Sequence, residues 1–263
     1  MPVVSQQHAE FFAREGYLHV PRLLADEITW IVDEFDEVLN AAGARPGDAR
    51  ATSRDLLYPL IDRREPLCRI LDLPVVEELV GLLLGPDANY LGSTGGYFVG
   101  DTEWHRDSAR PTPLRMKVYC NLTTVDGDSG ALRVIAGSHE RGEHWGAGPG
   151  EGREVVLASL PGDVVVFDQT VLHASFGGPP DRRAFTMTFG RRCHTPEELE
   201  ELGEFVAGYA DFGIRRLYSD VMESTASARR RRHLEQPLQV EHRLRGVRAA
   251  RRRSRYRRAT RGG

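Results

Sequence analysis

Residues 102–110 read TEWHRDSAR, with His105 and Asp107 one residue apart. In an extended chain, residues i and i+2 point to the same face, so an imidazole and a carboxylate aim at one point. That pair suits a divalent transition metal. Two histidines with one carboxylate form the smallest set that holds Fe(II) and leaves coordination positions open. The second histidine has to come from a later strand facing the same cavity, and the candidates are His139, His144 and His173. His139 sits in GSHERGEH, a Gly-Ser turn leading into a polar loop, and reads as a structural turn residue. His173 ends the apolar run VVVFDQTVLHASF, where Val171, His173 and Ser175 share one face. The residues thus pair His105 and Asp107 with a later histidine, and His173 has a strand face suited to the role. By itself the His-x-Asp pair fits a solvated surface pair equally well; the later histidine gives it meaning.

Open positions on a metal call for a ligand, and an anionic one needs a cation. The stretch DRRAFTMTFG offers Arg182 and Arg183, and an arginine holds a carboxylate through two parallel hydrogen bonds. Alternation separates the two. Arg183, Phe185, Met187 and Phe189 make an apolar face suited to packing. Arg182, Ala184, Thr186 and Thr188 make a small, polar face suited to a cavity. The same rule sorts RMKVYCNL: Met116, Val118, Cys120 and Leu122 pack, and Arg115, Lys117, Tyr119 and Asn121 face the cavity.

These residues need strands to present them. Short β-rich runs begin near Asn89, each bounded by Gly, Pro or Asp: NYLGSTGGYFVG, LRMKVYCNLTTV, ALRVIAG, EVVLASL, GDVVVFD, TVLHASF and RAFTMTFG. This pattern predicts a sandwich or barrel. Ahead of it, helical spacing predicts helices over 5–15, 25–42 and, as a pair, 65–85, with a short strand in YLHVPRLL. After it, HTPEELEELGEFVAGYA returns to helix behind Thr195-Pro196.

Composition narrows the rest. The 263 residues are 40% hydrophobic and 28% charged, ordinary for a globular protein. No apolar run approaches the length of a membrane span, and no basic segment followed by an apolar run opens the chain. Three widely spaced cysteines fit a reducing, cytoplasmic setting better than a disulfide framework. The net charge of −3 hides an asymmetry. From Arg229 onward there are 14 Arg against 2 Glu, a net of +12, which leaves the first 228 residues at −15. Lys117 is the only lysine, and we read the near-exclusive use of Arg as compositional bias.

The ordered set WHRD, GALRVIAGSH, LPGDVVVFDQTVLHASFGG and RRAFTMTFG resembles the phytanoyl-CoA dioxygenase family, and FFAREGYLHVPRLLADE is similar to the family's first helix and strand. The likeness spans roughly residues 8–195. It implies an Fe(II)/2-oxoglutarate oxygenase, mainly β with flanking helices: a double-stranded β-helix, or jelly roll, preceded by N-terminal helices. Residue by residue, His105, Asp107 and His173 match the family's iron ligands. Arg182, followed by Arg183 and Ala184, matches the 2-oxoglutarate arginine. Tyr119, eleven residues before Gly130, matches an aromatic position bordering the cosubstrate, and Thr188 on Arg182's strand face is a candidate helper. Ala136 stands where the family usually has Pro ahead of its GSH turn, which leaves the chemistry untouched.

The resemblance implies Fe(II), 2-oxoglutarate as cosubstrate and O2, with release of succinate and CO2. Asp107 stands where halogenating relatives have a small residue, so hydroxylation, or a related oxidation, of a small-molecule substrate is expected. Trp104, Arg106, Arg110, Arg115, Tyr97 and Phe98 are candidates for the entrance. The expected organisation is one domain over 1–228 (helical 1–88, β-helix core 89–193, C-terminal helix 194–228) and an Arg-rich tail over 229–263. Two rivals stay open. A cupin-type metal enzyme without 2-oxoglutarate shares the fold, although cupins favour His-x-His with Glu over His-x-Asp. A nucleic-acid-binding protein is suggested by the basic tail, yet the acidic body opposes it. Neither a membrane nor a nucleic acid is expected as partner, and nothing in the sequence specifies an oligomeric state.

Overall fold

In the computed structural model, residues 4–46, 56–108, 114–141, 150 and 152–244 are described. The helices are α1 (Gln6–Glu15), α2 (Ile28–Ala41), α3 (Glu65–Cys68), α4 (Pro74–Leu84), α5 (Pro196–Gly208), α6 (Asp220–Ser224) and α7 (Ala228–Val240). The strands are β1 (Tyr17–Val20), β2 (Asn89–Tyr97), β3 (Gly100–His105), β4 (Arg115–Asn121), β5 (Leu132–Ile135), β6 (Glu154–Leu157), β7 (Val164–Asp168), β8 (His173–Gly178) and β9 (Arg183–Gly190). They form two sheets, ordered β1-β7-β4-β9-β2 and β3-β8-β5-β6, with antiparallel pairing throughout. This is the jelly roll with flanking helices. Among the described residues, no helix is long and apolar enough to cross a membrane.

The five-stranded sheet is buried on both faces, and alternation assigns the faces. Met116, Val118, Cys120, Phe185, Met187 and Phe189 join one core with the helices, through Phe35, Leu39, Leu79 and Val206. Tyr119, Val165, Phe167 and Ala184 form a second cluster with Leu132, Val134 and Leu157 of the smaller sheet. Arg183 points to the helical side and pairs with Asp36 of α2 at 2.7 Å. The helices have local causes. Thr195 and Glu198 form a capping box for α5, and prolines open α4 and α5, where the missing N–H costs nothing.

The Arg-rich tail begins later than the composition suggested, since α7 runs straight through residue 229 as a packed helix. Ser227 caps it, accepting from the Arg230 amide at 3.0 Å. Arg230 is buried on Asp72 at 2.5 Å, and His233 meets Glu77 at 2.8 Å. Gln236 links Asn89 of β2 to the Cys193 backbone. The inward residues Arg230, His233, Leu234, Pro237, Val240 and Leu244 follow helical spacing, which the surrounding arginines mask in any composition count. The expected C-terminal helix over 194–228 is likewise two helices, α5 and α6, with a 3-10 turn after the first. Residues 245–263 lie outside the described residues.

Two predictions follow from this packing. A chain ended after Ser227 loses the native thermal transition, whereas one ended after Leu244 keeps it; Leu234→Ala costs about 2–5 kcal/mol in urea unfolding. The second concerns Asp62, fully buried between Tyr90 and the start of α6. It accepts from the Tyr90 hydroxyl at 3.3 Å and the Ser219 amide at 3.4 Å. Burial pushes its carboxyl up to about 7. The folded protein therefore keeps a proton that the unfolded chain releases near pH 4. The stability this adds is complete below about pH 4 and is lost as pH rises through about 7. Asp62→Asn flattens stability against pH over that window, as read from urea midpoints.

Candidate metal centre

Register brings the two histidines together. β3 pairs with β8 so that His105 lies opposite His173, with ring centroids 4.2 Å apart. Asp107 sits just beyond the end of β3, in a segment fixed on both sides. The Ser108 amide donates to the Gln169 carbonyl at 3.0 Å, and Arg106 donates to the carbonyls of Ser138 and Thr170. Asp107 Oδ1 lies 3.8 Å from His105 Nε2, and Oδ2 lies 3.7 Å from His173 Nε2. One ligand atom from each residue falls within 4.8 Å of the others.

The hydrogen bonds set the histidines for ligation. His105 Nδ1 contacts the Glu103 carbonyl at 2.7 Å, and His173 Nδ1 contacts the Val171 carbonyl at 2.9 Å. Facing a carbonyl, each Nδ1 carries the proton and donates it, which leaves the Nε2 lone pair free to bind metal. Burial lowers His173 to about 4, so it is neutral at pH 7. Burial by itself would raise the Asp107 carboxyl. Lys117, His173 and His105 together outweigh it and hold the group below the usual range, ionised. Two imidazoles and an anionic carboxylate fit a divalent iron-type ion.

The triad opens into a cavity of about 800 Å³ between the sheets. Arg182 is buried in its wall, 1% exposed. Its Nε donates to the Phe98 carbonyl at 2.8 Å, and its Nη1 donates to Ser175 Oγ at 2.7 Å and to the Gly130 carbonyl. Gly130 is held at φ 91°, and a Cβ there would lie 2.4 Å from Arg182 Nη1, so only glycine lets the guanidinium in. Among the described residues no carboxylate pairs with Arg182, and its Nη2 makes no protein hydrogen bond. A buried cation in that state fits a carboxylate-bearing ligand.

The other expected residues divide. Tyr119 lines the cavity, edge-on to Phe98 at 5.9 Å, the ring over which Arg182 also sits at 5.7 Å. Thr188 shares the strand face but is absent from the wall; Thr186 lines it instead, hydrogen-bonded to Thr94 at 2.9 Å. Tyr97 and Phe98 line the cavity. Trp104 stacks edge-on against Phe176 away from it, Arg106 is tied to carbonyls, and Arg115 lies over Phe205 of α5 at 4.6 Å. His139 contacts the Ala13 carbonyl at 3.0 Å, outside the cluster. His144 and Arg110 lie outside the described residues. Leu56 and Phe212 are among the wall residues that carried no sequence signal as site residues, the latter 80% exposed after α5. Ser175 had one, two residues from His173 on the same face.

The family model described as phytanoyl-CoA dioxygenase (PhyH) matches residues 82–184. The match takes in 103 of the 263 residues. All three triad residues, Tyr119 and Arg182 fall inside the matched segment; Thr188 lies beyond it. Solved structures share the fold at low identity. EctD from S. alaskensis aligns at 20% identity and TM-score 0.61, over 73% of this chain and 80% of its own. The carbocyclase SnoK from nogalamycin biosynthesis aligns at 20% and 0.60, over 72% and 84%. The epimerase SnoN, in complex with Fe3+, alpha ketoglutarate and nogalamycin RO, aligns at 18% and 0.59, over 71% and 83%.

The triad geometry sets a direct test. His105→Ala and His173→Ala abolish stoichiometric Fe(II) binding in anaerobic dialysis, and His139→Ala retains it. The reverse pattern would move the centre elsewhere.

Proposed function

We propose that the protein is an Fe(II)- and 2-oxoglutarate-dependent oxygenase that hydroxylates a small-molecule substrate. The observation that carries this reading is Arg182: a buried cation with no acidic partner among the described residues, facing the same cavity as two histidines and a carboxylate. A cupin-type enzyme without 2-oxoglutarate gives that arginine nothing to hold. The match to the dioxygenase family over residues 82–184 and the bound alpha ketoglutarate of the similarly folded SnoN support the same choice.

Iron with 2-oxoglutarate and O2 supplies the oxidation, yielding succinate, CO2 and an oxidised substrate carbon. The chain's own residues do the rest. His105, Asp107 and His173 would hold the metal where they line the cavity. Arg182 takes the far carboxylate of the cosubstrate, with Ser175 fixing the guanidinium and Tyr119 bordering it. Thr186 replaces Thr188 as the candidate hydroxyl on that wall. At about 800 Å³ the cavity holds a cosubstrate and leaves room for a second small molecule. Tyr97, Val99 and Phe212 give the outer part an apolar rim, where a substrate displaces water. Asp107 would fill the position that halogenating relatives open to halide, which favours hydroxylation or a related oxidation over halogenation. Three buried free cysteines fit a reducing, cytoplasmic setting.

The test is succinate formation from 2-oxoglutarate by Fe(II)-loaded protein with no nucleic acid present. Removing one partner of a buried charge pair costs about 2–5 kcal/mol. At about 1.4 kcal/mol per factor of ten, Arg182→Ala weakens 2-oxoglutarate about thirty-fold or more. Arg182→Lys restores part of this, because an ammonium has no planar fork. Arg183→Ala, whose partner is Asp36 outside the cavity, changes it less than about five-fold, since a surface pair is worth at most about 1 kcal/mol. A large loss in Arg183→Ala with none in Arg182→Ala would overturn the assignment.

A further inference from the structure

The chain writes 34 of its 35 basic residues as arginine, and its one lysine stands at the triad. Lys117 lies on β4, in the sheet opposite the two histidines, and lines the same cavity. Its Nζ reaches Asp107 Oδ2 at 2.8 Å. Asp107 has left the β3 ladder, so strand pairing does not fix the direction of its carboxylate. Backbone and side-chain bonds hold Arg106 and Ser108 on either side, whereas the contact from Lys117 acts on the carboxylate itself. Cross-strand from Lys117 are Phe167 and Thr188, and neither offers a competing charge.

We propose that Lys117 is a positioning residue of the metal centre, occupying one oxygen of Asp107 so that the carboxylate presents only the other to the metal. The inference rests on the metal-centre reading above. It also explains why this cation is not an arginine. An ammonium is a point donor that takes one oxygen. A guanidinium is a fork that takes both oxygens of a carboxylate and would compete with a metal at each of them. A carboxylate bound through one oxygen uses one coordination position, so the positions needed by a two-pronged cosubstrate stay open.

The sign of the effect separates this role from that of a plain cavity charge. A lysine that merely contributes charge repels a divalent ion, so removing it tightens metal binding and exchanging it for arginine changes little. A lysine that orients the ligand loosens binding when it is lost, typically ten- to a hundred-fold for a group supporting a metal ligand. The experiment is Co(II) titration by calorimetry, without cosubstrate, on the wild-type protein, Lys117→Met and Lys117→Arg, with thermal melts of each metal-free protein. Both variants are expected to weaken Co(II) by about ten-fold or more. Either one binding Co(II) as tightly as wild type, or tighter, overturns the proposal. A wild-type protein that takes no Co(II) overturns it together with the metal-centre reading, so the two failures are distinct.

A second measurement keeps the test alive if a variant does not fold. Because Lys117 is the only lysine, reductive methylation with 13C-formaldehyde labels one side chain besides the terminal amine and preserves its charge. Its methyl resonance is expected to broaden or shift strongly when Co(II) is added. A resonance untouched by bound Co(II) would place Lys117 away from the ligand and refute the assignment.

Discussion

Burial of the five-stranded sheet on both faces is the constraint from which the site descends. A strand has two faces and a period of two, so each residue of β4, β7 and β9 belongs either to the helical core or to the space between the sheets. Phe185, Met187 and Phe189 commit β9 to the helices, and Ala184 and Thr186 are thereby turned inward. Arg182, just ahead of the strand, follows the inward set. A slip of one residue would exchange Arg182 for Arg183 and bury Asp36's partner instead. The apolar core thus fixes which arginine shares a cavity with His105, Asp107 and His173.

The electrostatics of the cavity are built in the same way. Asp107 is an anion between two histidines and a lysine, and Arg182 is a cation held by carbonyl and hydroxyl oxygens. Neutral dipoles hold Arg182 in place without cancelling its charge. A carboxylate there would satisfy the guanidinium and remove its affinity for an incoming anion. Gly130 contributes by having no side chain, which lets its carbonyl and the guanidinium approach. Both imidazoles hand one proton to the backbone two residues earlier, a local consequence of their place at the end of β3 and the start of β8.

The helical shell ties the scaffold from behind. Helix α7 joins β2 and the chain after β9 through Gln236, α4 through His233, and the turn before α4 through Arg230. Asp62 holds the start of α6 to Tyr90 in β2. Phe212, from the turn after α5, reaches the cavity mouth. The C-terminal helices therefore support the sheet that carries Tyr119 and Arg182, and they also supply part of the rim.

Much of this was legible in the sequence because it rests on short-range periodicity. The strands, the faces of β4 and β9, and the trio His105, Asp107 and His173 all follow from alternation and from the order of motifs. The sequence went astray where composition hid a pattern or where contact runs between distant segments. Fourteen arginines concealed the helical spacing of Arg230, Leu234 and Val240, and a packed helix read as tail. Alternation placed Thr186 and Thr188 on one face but not at one depth, since depth along a strand depends on where the opposite sheet stands. Lys117 was assigned its side of the sheet by spacing alone. That its ammonium ends on the carboxylate of Asp107 was decided only when β4 of one sheet was laid across from β3 of the other, because local sequence sets a side chain's direction and the packing of two sheets sets what it meets.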